Sequence, residues 1–318
     1  MKPFSQLSIL SLGDLVSDLN VGIERLPVIH QQHQLVHQVR LEPGGAGNFM
    51  LAGARLGCQM VALGVVGDDI YGHEMLEVLQ SEGVETKDVI RQTDGNTTLV
   101  FVLADNHGHH VFLGQVGRGP QVAFPDSWKT ALCTADAVHS YGYTLNEERL
   151  AATLLAGMEY ALGCGRPVFF DPGPHVATVP FETRRMALQR CSGLILTEEE
   201  IPLVLPGAEG LDDAPALFSD TLRLVVVKRG AAGSVALTAQ GERAEHPGFP
   251  VPLVDSTAAG DSFAAAFIAG WLQERPLVDA LAMANAMGAA KVQKPGSGRQ
   301  VPTLAEMQAV LNGTLQVD

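Results

Sequence analysis

The chain is poor in positive charge. Its 21 Lys and Arg face 35 Asp and Glu, a formal net charge of −14. A broad basic surface for nucleic acid or anionic membrane is therefore absent, and neither partner is expected. Cysteine is scarce too. Cys58, Cys133, Cys164 and Cys191 lie far apart and form no C-x-x-C pair, so the expectation is reduced core thiols in a cytoplasmic protein, with neither a disulfide frame nor a zinc site. No apolar run approaches the roughly 18 to 20 residues of a membrane span. The first such run is cut by Gly13 and Asp14, which suits an opening strand and not a signal peptide. Two nucleotide motifs are missing as well. The G-x-x-x-x-G-K-[ST] loop does not occur, and no G-x-G-x-x-G follows the first strand, which argues against a dehydrogenase.

What the chain has in quantity is small apolar residues. Of its 318 residues 46% are hydrophobic but only 6% aromatic, a composition that suits helices packed tightly on a sheet. Leu7 to Leu12 reads as a buried strand, and Met60 to Val66 as a second. Leu15 to Arg40 is half-polar, as expected of strands exposed on one face. His30, His33 and His37 within it fit a solvated flap better than a metal site, since no Cys or carboxylate cluster joins them. Pro43-Gly44-Gly45-Ala46-Gly47-Asn48 runs into a helix from Phe49 to Leu56. Its glycines permit close ligand approach, and Asn48 offers a donor and an acceptor to a sugar hydroxyl; a structural turn with an Asn cap explains the same residues. Thr97 to Ala104 and His110 to Leu113 flank a polar turn, a β-hairpin that pairs with the 15–40 flap in a small second sheet. Ala137 to Tyr141 is a strand, followed by a helix from Asn146 to Leu162. The strands Pro167 to Phe170, Gly193 to Leu196 and Leu222 to Val227 then end in Asp171-Pro172-Gly173, Thr197-Glu198-Glu199-Glu200 and Lys228-Arg229-Gly230. Strands ending in polar or Gly-rich loops, with helices between, predict an α/β protein with a doubly wound, mainly parallel sheet whose ligands bind at the carboxyl ends of the strands. Val235 to Thr238 and the segment to Val254 resume strand character. Helices over Val278 to Val292 and Thr303 to Leu311 close the chain.

The stretch that organises the rest is Asp255-Ser256-Thr257-Ala258-Ala259-Gly260-Asp261-Ser262-Phe263. It reads as a loop feeding the N-terminus of a buried helix, where backbone N–H groups lack intrahelical partners and carry the positive end of the dipole. With almost no side chain at Ala258, Ala259 and Gly260, an anion can come close, which suits phosphate. A carboxylate at Asp261 is then either a first-turn stabiliser or a general base acting on the other reactant. Local physics leaves both readings open.

Taken together, these residues resemble the ribokinase-like, or PfkB, family of carbohydrate kinases over essentially the whole chain. Asp255 to Asp261, followed by Ala265 and Ala266, matches the family's C-terminal signature. Gly44-Gly45-Ala46-Gly47-Asn48, Gly57 and Gly67 match its N-terminal one. Met50 departs from the usual small residue. The resemblance implies a catalytic base at Asp261 and an anion hole from the N–H groups of Ala258, Ala259 and Gly260. It implies a sugar pocket lined by Asp14, Asp18, Gly44, Gly45 and Asn48. Thr197 stands where Asn is usual in the element that carries Glu200, which would act on Mg²⁺ through water. Lys228, Gly230 and Gly233 resemble the nucleotide loop, and Asn285 lies on the helix that flanks adenine. Asp255, Thr257 and Ser297 resemble a monovalent-cation site for K⁺. The main domain would comprise 1–14, 41–96 and 116–318, with a β lid at 15–40 and 97–115 that covers the sugar and mediates dimers.

The function expected is ATP-dependent transfer of the γ-phosphoryl group to a hydroxyl of a small sugar. Two alternatives stand beside it. A nucleoside kinase would need an aromatic platform in the lid, for which Phe101 and Phe112 are candidates. A non-catalytic sensor would keep the fold without needing a base. A sugar-acid kinase is disfavoured by Asp171-Pro172-Gly173-Pro174-His175, which lacks a nearby Arg, although Arg118 is an alternative basic group.

Overall fold

A computed structural model describes residues 1–30, 33–107, 109–117 and 123–314. In chain order the elements are β1 (Ser8–Leu12), β2 (Val16–Gly22), β3 (Gln38–Gly44), α1 (Ala46–Arg55), β4 (Gln59–Leu63), β5 (Val65–Gly67), α2 (Ile70–Ser81) and β6 (Ile90–Gln92). Next come β7 (Thr98–Ala104), β8 (His110–Gln115), α3 (Trp128–Thr134), β9 (Ala137–Tyr141), α4 (Glu148–Gly163), β10 (Val168–Asp171), α5 (Phe181–Leu188) and β11 (Gly193–Thr197). The last are α6 (Ile201–Val204), β12 (Leu224–Lys228), β13 (Ser234–Thr238), β14 (Arg243–His246), α7 (Ala259–Leu272), α8 (Leu277–Val292) and α9 (Leu304–Leu311).

The main sheet has eight strands in the order β14-β13-β12-β11-β10-β9-β1-β4. From β4 to β12 every pairing is parallel; β13 and β14 add an antiparallel edge. Strands such as Val168-Phe169-Phe170-Asp171 are buried along their whole length, because both faces are covered. On one face Ile9, Ala62, Phe169, Ile195 and Val226 pack against α1, α2, α7, α8 and α9. On the other, Leu10, Leu12, Val138, Phe170, Leu194 and Val225 pack against α3, α4 and α5. Continuous apolar runs with alternate residues feeding two cores are what a doubly covered parallel sheet requires. Chain order reverses at β1, which has β4 on one side and β9 on the other. This is a switch point where a crevice opens at the carboxyl ends.

The second sheet, β3-β2-β7-β8, joins the flap to the hairpin through a parallel β2–β7 pair. β3 continues to Gly44, so this sheet reaches past residue 40 and delivers the chain into α1. Its two faces differ. Val39, Val21, Leu103 and Val111 form one cross-strand row and Leu41, Leu19, Phe101 and Leu113 the next. The opposite face carries Asp18, Asn20, Arg40, Val102 and Phe112.

Four expectations are corrected. The strand expected over 60–66 breaks at Gly64, where an added Cβ would lie 2.4 Å from the Gly13 carbonyl oxygen, and β5 leaves to pair with β6. Residues 247–254 are irregular and not strand. The helix after β9 begins at Glu148, preceded by a 3₁₀ turn over Gly142–Asn146. Finally, Cys133 and Cys164 form a disulfide, and only Cys58 and Cys191 remain buried free thiols. The last turn of α3 and the C-terminus of α4 bring these Cα atoms to 5.3 Å, within bridging reach. Spacing along the chain carried no sign of that approach.

Candidate active site

The carboxyl ends of the parallel strands, the entry to α1 and the start of α7 meet at one place. Asp261, in the first turn of α7, is held from two sides. The Tyr141 hydroxyl donates to its Oδ1 at 2.6 Å and Asn48 Nδ2 to its Oδ2 at 3.0 Å. Burial pushes its pKa up to about 6, opposed by the Tyr141 bond and raised further by Asp171. Asn48 is fixed in turn, because its Oδ1 accepts the Gly298 N–H at 2.7 Å. Behind Tyr141 lies His139, fully buried, stacked on Phe49 and edge-on to the Tyr141 ring. Burial holds its pKa down to about 3, and neither ring nitrogen has a partner among the described residues. Tyr141 and His139 were not foreseen. An apolar-looking strand, Ala137-Val138-His139-Ser140-Tyr141, gave no sign of which side chains it sends toward the base.

The lid strand β2 and the loop before it supply the acidic groups. Asp18 Oδ2 accepts from Ser297 Oγ at 3.0 Å, and Asn20 Nδ2 donates to that same hydroxyl at 3.2 Å. Burial raises the Asp18 pKa to about 7, partly offset by the Ser297 bond. Asp14 accepts from the Thr98 hydroxyl at 2.7 Å and takes the Thr144 hydroxyl on its own N–H at 3.1 Å. Its pKa is pushed up to about 6, again chiefly by burial. The glycines next to them act as spacers. A Cβ on Gly44 would sit 2.1 Å from an Asp18 oxygen, so only Gly lets the two strands close around that carboxylate. Gly45 turns the chain into α1 at φ 45°. Met50, one turn into α1, is fully buried in the core.

The loop before α7 has its own geometry. Ala258 caps the helix in the left-handed region at φ 63°. Ala259 N–H is engaged by the Ser256 carbonyl at 3.1 Å. The N–H groups of Ala258, Gly260 and Asp261 have no partner among the described residues. Of the three N–H groups expected to face an anion, two are thus open and Asp261 adds a third. Lys228 closes the other side. A Cβ on Gly260 would lie 3.5 Å from its Nζ, and the ammonium pairs with Asp171 Oδ2 at 2.7 Å. The pair is nearly enclosed, with side chains 13% and 6% exposed. Despite burial, Asp171 and Glu200 hold the Lys228 pKa above its ordinary value. Glu200 is itself buried and raised, by burial first and Asp171 second. Its Oε2 accepts the Thr197 N–H at 2.8 Å, while the Thr197 side chain accepts from the Glu200 backbone. Thr197 therefore makes the reciprocal cap that Asn would be expected to make. Asp171 and Lys228 thus stand together beside Gly260 and the open N–H groups of α7, where only a strand-end loop and a nucleotide lysine were expected.

The remaining expected residues lie at the periphery. Asn285 is buried, its Nδ2 donating to Ser234 Oγ at 2.9 Å and facing His246 Nδ1 at 3.1 Å. Gly233, at φ 84°, packs against the His246 and Pro247 backbone, and Gly230 opens toward solvent. The Asp255 carboxylate accepts the N–H groups of Thr257 at 2.8 Å and Gly296 at 2.7 Å. Ser297 spends its hydroxyl on Asp18. His107, His109 and His110 decorate the hairpin turn, with Asp105 accepting the His107 and His109 N–H groups. Phe101 and Phe112 project from opposite faces of the lid sheet. Arg118 lies outside the described residues.

An α/β fold with a half-buried carboxylate and free helix-terminal N–H groups beside a lysine defines a phosphotransfer enzyme acting on a hydroxyl. Comparison with known proteins fixes the class. The family model "pfkB family carbohydrate kinase" matches residues 6–304. An ATP-dependent ribose-1-phosphate kinase of Halopiger xanaduensis is 31% identical over 304 residues, covering 96% of this chain and 98% of the relative. A probable fructokinase of Arabidopsis thaliana is 29% identical, covering 85% and 88%. Among solved structures, a putative ribokinase II from E. coli superposes with a TM-score of 0.85 at 22% identity, covering 96% of this chain and 99% of that one. An A. thaliana ribokinase complexed with ribose and ATP gives 0.79 at 22%, covering 98% and 99%. The chain belongs to the pfkB family of carbohydrate kinases. It is an ATP-dependent phosphotransferase whose acceptor is a sugar.

Proposed function

We propose that Asp261 is the general base of this kinase and that the acceptor is a small monosaccharide seated between Asp14, Asp18, Asn48 and the lid. One observation carries the reading: Asp261 sits at the free N–H groups that open α7 and is tied through Asn48 to Gly298, next to the Ser297 that holds Asp18. In this arrangement the acidic side chains and Asn48 orient sugar hydroxyls. Asp261 takes the proton from the attacking hydroxyl, which bonds to the transferring phosphorus as the bond to ADP breaks. The N–H groups of Ala258, Gly260 and Asp261, with Lys228, stabilise the charge on the phosphoryl oxygens. The lid excludes water so that ATP is not hydrolysed.

A divalent cation fits the donor set at the phosphate end. Among the described residues no three His, Cys, Asp or Glu side chains form a metal cage, but Mg²⁺ on a nucleotide needs only one or two carboxylates beside phosphate and water. Glu200 and Asp171 would hold it there; bound, it neutralises phosphate charge. The family resemblance would give K⁺ to Asp255, Thr257 and Ser297, but a buried ammonium, Lys291, lies near that loop as a rival cation.

A second acceptor reading follows from the ribose-1-phosphate kinase relative. Arg40 shares the site-facing side of the lid with Asp18 and Asn20, and a phosphorylated pentose would need such a cation. The outer apolar rows of the lid suit a second copy of this chain, since Val39 is 61% and Leu113 54% exposed. A monomeric mass in solution at micromolar concentration would refute that dimer. The deciding assay is ADP release with Mg-ATP against free pentoses, ketohexoses, pentose 1-phosphates and nucleosides. Turnover confined to nucleosides would overturn the monosaccharide assignment.

A further inference from the structure

Lys291, in the last turn of α8, is the one lysine among the described residues with no exposed surface at all. No carboxylate forms an ion pair with it among the described residues. Its Nζ donates to the Lys294 carbonyl at 2.8 Å, leaving two of three donors without a protein acceptor at hydrogen-bond distance. Burying an unpaired ammonium is costly unless its charge has a use.

Its neighbours suggest the use. The chain just after Lys291 wraps the loop before α7. The Val292 carbonyl accepts the N–H groups of both Val254 and Asp255, at 2.7 and 3.0 Å. The Asp255 carboxylate ties Thr257 on its own side to Gly296 on the other. That carboxylate and Asp261 are the acidic groups that act to keep Lys291 charged, against burial, which brings its pKa down to about 8. The end of α8 also favours a cation through the helix dipole. What this assembly fixes is Ala258, a non-glycine residue in the left-handed region. Such a conformation persists only when its surroundings over-determine it. Ala258 and the residues after it present the free N–H groups of the phosphate end.

We infer that the Lys291 ammonium is a tethered cation that positions the Asp255–Ala258 loop, and through it the phosphoryl-binding N–H groups, so that transfer requires no alkali ion at this loop. Lys291 is a positioning residue, since its Nζ bonds the Lys294 carbonyl, in the turn whose Val292 and Gly296 hold the loop, and not the reacting atoms. The inference rests on the kinase reading above for its rate readout, but not for its stability readout.

The test compares wild type with Lys291→Ala and Lys291→Met, each in K⁺, Na⁺ or tetramethylammonium chloride at one ionic strength of about 0.1 M. Both ADP release and the thermal midpoint with ATP bound are measured. Wild type is expected to turn over equally in all three salts, within about twofold, with unchanged midpoints. Lys291→Ala should lose on the order of 10² in kcat in tetramethylammonium, with a smaller change in KM for the acceptor. K⁺ or a small alkylammonium such as ethylammonium should restore at least about tenfold of that loss and raise the midpoint, because either fits where the side chain was. Lys291→Met fills that space and should resist rescue. A wild-type rate or midpoint that responds to K⁺ over tetramethylammonium overturns the inference, as does a Lys291→Ala enzyme with full rate and no cation response. If neither variant folds, the wild-type comparison decides alone. If no acceptor turns over, the midpoints carry the same contrast, which separates failure of this inference from failure of the kinase reading.

Discussion

Replacing Asp261 by Asn should abolish most turnover while making the protein less sensitive to pH. The two effects come from the same carboxylate. As the base, Asp261 is expected to contribute about 10² to 10⁴ in kcat. As a buried acid, its pKa rises from 3.8 to about 6 on folding, so the folded chain binds a proton that the unfolded chain has released. Stability from this group is therefore greatest below pH 3.8 and falls as pH rises through 6. The full change is about 3 kcal/mol, an upper figure because the side chain keeps some solvent contact. Asparagine at 261 removes that loss. It also costs about 1 to 3 kcal/mol, because the single amide oxygen cannot accept from both the Tyr141 hydroxyl and Asn48 Nδ2. That penalty does not depend on pH. The absolute stability of the variant is thus near wild type at pH 8 and below it at pH 4.5. The gap between the two proteins should close by about 2 kcal/mol across that range. Urea unfolding at both pH values reads the gap, and coupled ADP release reads the rate. A variant that keeps its rate refutes the base. A gap that does not move with pH refutes the burial argument, even if activity is lost.

Three further outcomes follow from the same geometry. Tyr141→Phe removes the 2.6 Å donor from Asp261, so the acid limb of kcat/KM should move upward by roughly one pH unit while the plateau at high pH changes little; an unmoved limb would separate Tyr141 from the base. Asp18→Asn should raise KM for the sugar more than it lowers kcat. Because the Asp18 pKa rises from 3.8 to about 7, the wild type loses stability between those pH values and the variant does not. The expected gain at pH 8 relative to pH 4 is on the order of 4 kcal/mol, and a flat difference in urea midpoints would contradict it. Phe101→Asp combined with Leu113→Asp places charge in the outer apolar rows of the lid and should yield monomers by light scattering with the rate constant per site retained. Dimers persisting in the double variant would mean that another surface joins the chains.

Much of this molecule was legible before any coordinates. Runs such as Gly193 to Leu196, ending in polar loops with helices between them, favour strands buried on both faces and aligned in parallel, because helices then cover both faces. The small residues from Ala258 to Gly260 ahead of an apolar helix marked the phosphate end, since N–H groups at a helix start need neither side chains nor long-range partners to attract an anion. Asp261 and Asn48 stood out beside such backbone turns, whereas Asp18 and Glu200 could be named only through the family resemblance. Only tertiary structure could decide what holds those groups. Tyr141, Asp171 and Lys228 come from the ends of β9, β10 and β12, and strand register alone brings them to Asp261 and Gly260. Ser297 reaches Asp18 across 279 positions of sequence, and Cys133 meets Cys164 because α3 packs on α4. Lys291 looked like any helical lysine; that it is sealed beneath the loop of Asp255 depends on the turn after α8. Local sequence sets which backbone conformations and which faces are favoured, whereas the distances that shift a pKa or pair a charge exist only once the chain has closed on itself.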